Sequence, residues 1–144
     1  MNADQFFNEQ QREELLSAIK HAEEQTSGEI RLHVENFCKT EVLDRAAFVF
    51  EKLQMHTTTD RNGVLFYIAV KDRKFAIIGD SGINHAVPAN FWESVKEEVL
   101  ASFAKEAFAE GLSKGIRMAG EKLKIYFPRQ TDDINELPDD ISFE

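Results

Sequence analysis

Asp60, Asn62, Asp80 and Glu29 are the side chains whose types and spacing could do chemistry together, and that chemistry is the holding of a hard cation. Calcium takes about six to eight oxygen ligands at roughly 2.3–2.6 Å, drawn from carboxylates, amide oxygens, backbone carbonyls and water. No contiguous stretch supplies such a set. Residues 57–64, "TTTDRNGV", place the glycine three positions after Asp60 and run directly into an apolar segment, which is not an EF-hand spacing. The ligands would have to come from separate segments. The same acids also suit solvated loops of an acidic protein, and the pattern alone leaves both readings standing.

Other candidates fall away on their own chemistry. "GDSG" at 79–82 invites a nucleophilic Ser81, but that serine needs a histidine base and a buried acid in register, and "GDSGI" does not have the glycines at both ends that a nucleophile elbow needs. It reads as a glycine-rich turn. His21, His33, His56 and His85 show no metal-ligand spacing; His33 is expected at a surface or in a hydrogen bond, and His85 near the rim is a nitrogen donor that calcium disfavours. Cys38 stands alone, which excludes a disulfide within the chain and a cysteine zinc cluster.

The elements that must position these residues are legible from periodicity. Asn8 and Gln11 form a capping-box pattern that opens a helix with Leu15, Ile19 and Ala22 on one face; "TSG" at 26–28 stops it, with Gly28 suited to a left-handed turn. "EIRLHVE" at 29–35 alternates strictly and predicts a strand with one wet or polar-packed face. Thr40 is expected to cap a helix over 41–54 with Leu43, Ala46, Ala47 and Phe50 inward. "VLFYIAV" at 64–70 is apolar on both sides and predicts a central buried strand. A short "KDRK" turn at 71–74 makes it an antiparallel hairpin with "FAII" at 75–78. Asn62-Gly63 is then the entrance to the central strand, with Gly63 easing the bend. A helix opened by Asn90 and Glu93 carries Trp92, Val95, Val99 and Phe103; a last one over 106–126 carries Phe108, Leu112, Ile116, Ala119 and Leu123 and ends before Pro128. Gly111 and Gly115 inside it imply close helix packing.

This order predicts an α/β chain: a three-layer α/β/α sandwich on a mixed sheet of three or four strands with one antiparallel hairpin. The hairpin brings Asp60 and Asn62 beside Asp80, and a parallel first strand adds Glu29 to the same rim.

Composition bounds the rest. The 144 residues suit one domain, with a net charge of −9. Such acidity argues against nucleic acid and anionic membranes as partners. Residues 128–144 hold six acids and one base and are expected to form an acidic, partly disordered tail outside a domain of residues 1–127. There is neither a signal-peptide pattern nor an apolar run long enough to span a membrane, so a cytoplasmic monomer with an unknown protein partner is expected.

The stretch "NGVLFYIAVKDRKFAIIGDSGINHAVP" (62–88) resembles the TPM domain family, as do "EEQTSGEIRLHVE" (23–35) and "FAKEAFAEGL" (103–112). The resemblance covers about residues 7–127. It implies a Rossmann-like α/β/α sandwich, calcium binding as reported for some members, and acid phosphatase activity as proposed for plastid members. It also implies accessory roles in photosystem repair, receptor modulation or at membranes. Members often carry aspartate where Arg61 stands, tyrosine at Ser81, an acid at Asn84 and Gly-Asp at Glu106-Ala107; each departure here removes or moves an oxygen ligand. The reading implied is a short soluble member acting as a non-catalytic calcium-binding module, with a phosphomonoester hydrolase as the alternative.

Overall fold

The computed structural model describes residues 3–129 and 141–144. Helix α1 (Glu9–Gln25) opens with the expected capping box: Asn8 Oδ1 accepts from the Gln11 N–H at 2.8 Å, and Gln11 Oε1 accepts from the Asn8 N–H at 2.9 Å. It is followed by β1 (Glu29–Glu35), α2 (Val42–Lys52), β2 (Gly63–Ala69) and β3 (Lys74–Gly79). Then come α3 (Ser81–Ala86), α4 (Glu93–Ala104), α5 (Phe108–Leu123) and β4 (Ile141–Phe143).

The strands make one open sheet in the order β3-β2-β1-β4. β1 runs parallel to β2 and to β4, and β2 and β3 form the antiparallel hairpin. One face carries Ile30, Leu32, Val34, Val64, Phe66 and Ile68 against α1, α4 and α5. The other carries Leu65, Tyr67 and Ala69 against α2. That is the α/β/α sandwich expected, and β2, apolar at every position, is buried from end to end.

Several local expectations are corrected. The inward face of α2 is Ala46, Val49 and Phe50, while Leu43 and Ala47 are exposed. The buried set follows i, i+3, i+4 spacing from position 46, and Leu43 and Ala47 lie to one side of it, about 60° and 100° from Ala46. Thr40 does not cap α2; Glu41 precedes it without a side-chain cap. Trp92 precedes α4 in the same uncapped way, so the Asn90 start does not form. α5 begins at Phe108, because Glu106 takes a left-handed backbone, φ 60°. Gly28 is not left-handed; α1 ends in an extended Thr26, which bridges to Pro128 and whose hydroxyl donates to the Phe127 carbonyl. The "GDSG" turn contains the start of α3, with Asp80 as its N-cap.

The acidic tail divides. The expectation of a partly disordered tail falls mostly on residues 130–140, which lie outside the described residues; Ile141–Phe143 join the sheet as β4. Among the described residues no helix is long and apolar enough to cross a membrane.

Candidate functional site

The hairpin and the parallel β1–β2 pair do what topology requires at the rim. Glu29 stands opposite Gly63, and its N–H donates to the Asn62 carbonyl at 3.1 Å. From the other side the Asp80 N–H donates to the Gly63 carbonyl at 2.9 Å, and the Gly82 N–H to the Arg61 carbonyl at 2.9 Å. Three predicted residues, Glu29, Asn62 and Asp80, are buried at neighbouring rim positions; Asp60 is exposed on the preceding turn.

The turn is tightly seated. A Cβ on Gly82 would come within 2.3 Å of the Asp60 carbonyl and 2.7 Å of the Arg61 carbonyl, so only glycine lets the loop approach α3. The left-handed residue is Arg61, φ 51°, rather than Gly63. That conformation, costly for a residue with a Cβ, aims the guanidinium at Asp80. Nε donates to Oδ2 and Nη2 to Oδ1, both at 2.8 Å, while Oδ1 also accepts from the Ser81 N–H at 2.7 Å. The hydrogen bond to Asp80 raises the Arg61 pKa. Asp80 thus has an internal cation that the sequence placed beside it, but whose pairing the sequence did not reveal.

Asn62 is the complement. Its Nδ2 donates to the Ser27 carbonyl at 3.1 Å and its N–H to Thr58 Oγ1 at 3.2 Å. Its Oδ1 is buried with no hydrogen-bond donor in reach among the described residues. A buried amide oxygen left in this state costs free energy unless a ligand satisfies it. The rim side chains offer oxygens of the kind a hard cation takes, but among the described residues the carboxylates of Glu29, Asp60 and Asp80 do not converge as a ligand group. The Arg61 pairing also bears on phosphate chemistry, since the nearby base is committed to Asp80.

A second group of ionisable residues, missed by sequence reasoning, lies at the opposite end of β1 beneath α2. His33, Glu35 and Glu144 bring possible ligand atoms within 4.8 Å of one another. Their lone pairs are already taken. Arg45 donates to both oxygens of Glu35, Nε to Oε2 at 2.9 Å and Nη2 to Oε1 at 2.8 Å. The Tyr67 hydroxyl also donates to Glu35, and His33 Nε2 lies 3.2 Å from Glu35 Oε1. Glu144 receives Arg45 and Lys52. Two carboxylates matched by two cations do not fit a metal; they fit a structural weld joining α2 and β4 to β1. Burial pushes the Glu35 carboxyl up, but hydrogen bonds from Arg45, Tyr67 and His33 outweigh it and hold it at about 2. Burial lowers the His33 pKa against the pull of Glu35. Burial and the bond to Glu35 raise that of Tyr67. The signal in the sequence was the alternation of β1, whose second face proves to be packed against polar partners rather than wet.

A family model described as the TPM domain matches residues 1–122. The chain is similar to the BA42 protein of the psychrophilic bacterium Bizionia argentinensis, solved by NMR: 43% identity, 96% of each chain covered, TM-score 0.91. The N-terminal domain of the cg2496 protein from Corynebacterium glutamicum has the same fold at 9% identity, TM-score 0.61, over 96% of this chain and 82% of that one. Among curated proteins none matches.

Proposed function

The chain belongs to the TPM domain family, and we propose that it serves as a non-catalytic, calcium-responsive accessory module with its cation site at the Asp60–Asp80 rim. The carrying observation is the buried, unsatisfied Asn62 Oδ1 on the same rim as the buried Asp80 carboxylate. Asp60, Asn62, Asp80 and Glu29 are the side chains that would hold calcium, with backbone carbonyls and water completing the shell. Arg61 is the built-in competitor: it already supplies Asp80 with positive charge, so calcium must displace or outweigh it. On this reading a weak affinity is expected, about 10⁻⁴–10⁻³ M. In this role the chain is a monomer that acts on a protein partner.

Calcium titration of the full chain, read by amide shifts and calorimetry at constant ionic strength, tests the proposal. Shifts should centre on residues 58–64 and 79–84. Asp80→Asn should abolish them, Asp60→Asn should weaken binding, and Arg61→Gln should tighten it. Silence up to roughly 10 mM calcium, or a response indifferent to all three substitutions, rejects the rim. Turnover of an aryl phosphate by wild type, lost in Asp80→Asn, would replace the non-catalytic reading with the hydrolase.

A further inference from the structure

We propose that the outer edge of β1 is a strand-acceptor groove for an extended segment of the pattern apolar–hydroxyl–aromatic–acid on a partner protein, and that residues 141–144 occupy it in cis. β4 pairs with only three residues of β1, Leu32, His33 and Val34, and the Glu144 N–H adds a bond to the Val34 carbonyl at 3.0 Å. So short a ladder does not hold by its backbone alone. Each side chain is read separately, on alternating faces. Ile141 is buried in the large core cluster. Ser142 Oγ lies 2.7 Å from His33 Nδ1 and 3.4 Å from the Leu32 carbonyl. The Phe143 ring sits under the Arg12 guanidinium, 4.9 Å from its centroid. Glu144 is clamped by Arg45 and Lys52 of α2. Backbone pairing at a sheet edge with pockets for alternate side chains is the mode of strand addition, in which the ladder gives affinity and the pockets give specificity.

Open space flanks the paired edge. β1 continues to Glu35 beyond the last β4 pair, and a cleft of about 250 Å³ lined by Ala3, Asp4 and Asn36 opens beside Phe143 and Glu144. A longer segment can use both. Charge decides the source. At −9 this chain repels a second copy of itself, whereas its two α2 cations attract an acid presented on a less acidic protein. The internal segment belongs to the same chain, so an external segment competes against an intramolecular one.

A fluorescein-labelled peptide of sequence DDISFE, titrated into the full chain, tests this by anisotropy. Wild type should bind weakly. Ile141→Ser combined with Phe143→Ser, which loosens the internal segment, should bind the peptide roughly tenfold tighter or more. Adding Lys52→Glu should reverse most of that gain, and a peptide ending in lysine should not bind. If the double variant fails to fold, Glu144→Lys in the full chain releases the clamp with one exposed change and should show the same direction. A loosened variant that keeps amide protection in β1–β3 yet gains no affinity overturns the proposal, as does binding indifferent to Lys52→Glu. A concentration-dependent dimer broken by the same substitutions assigns the groove to a second copy and overturns the choice of partner.

Discussion

Arg45 and Arg61 play matching parts at opposite ends of β1: each gives a buried carboxylate its counter-charge, Glu35 in one case and Asp80 in the other. The two differ in what else is present. Glu35 also receives Tyr67 and His33, so Glu35→Gln leaves Arg45 and its neighbours mismatched under α2, and a loss of about 3 kcal/mol in urea unfolding is expected. The pH profile follows from the same group. Glu35 is held at about 2 in the fold against 4.5 unfolded, so its contribution is complete above about 4.5 and is lost as pH falls toward 2. His33 is lowered from 6.5, so the unfolded chain takes up its proton first, and stability begins to fall just below pH 6.5. Melting temperature should therefore decline through two windows in wild type. In His33→Gln only the lower one should remain. The residue pairings were the least legible part of the sequence. Asp60, Asn62, Asp80 and Glu29 could be placed on one rim from strand order alone. That Arg61 closes on Asp80 depends on a left-handed backbone at a non-glycine residue, which spacing does not encode.

At the scale of elements, local signals served where a segment carries its own reason to form. The capping box of α1, the alternation of β1, the unbroken apolar run of β2 and the polar hairpin turn are all local, and all appear. Asn8→Ala should accordingly cost about 1 kcal/mol, read by thermal melting. The α2 face was misplaced because packing against the sheet, rather than propensity, fixes it, and the start of α5 because the left-handed Glu106 interrupts the helix. The glycines of α5 show the same override from the other side. A Cβ on Gly115 would lie 2.4 Å from Val99 Cγ2, and one on Gly120 would lie 2.6 Å from Ala22 Cα and 2.9 Å from its carbonyl. Alanine is worth up to about 1 kcal/mol over glycine in a free helix. Here Gly120→Ala should destabilise by roughly 1–3 kcal/mol, because it meets the backbone of α1, which cannot step aside. Equilibrium unfolding of that variant checks it.

At the scale of the molecule, the element hidden from the sequence is β4. Three residues at the end of an acidic stretch have no periodicity to read, and their partners lie far away: His33 and Ser142 are 109 positions apart. Burial of Ile141 ties the segment to the core that α1 and α5 share. Ile141→Ala should weaken hydrogen-exchange protection at the edge that β4 covers by about 2 kcal/mol or more, while the β2–β3 amides keep theirs. An equal loss at every amide would show that β4 opens only with the whole fold.

That separation of 109 positions also sets a clock. At synthesis rates of about 5–20 residues per second, β1 leaves the ribosome on the order of ten seconds before the segment that will cover its outer edge. β2 and β3 follow β1 closely, so the sheet can assemble from the inside while one flank is still bare. The nascent chain passes through an interval in which that flank is open to whatever is nearby, and the arrival of the segment, more than the forming of the hairpin, closes it.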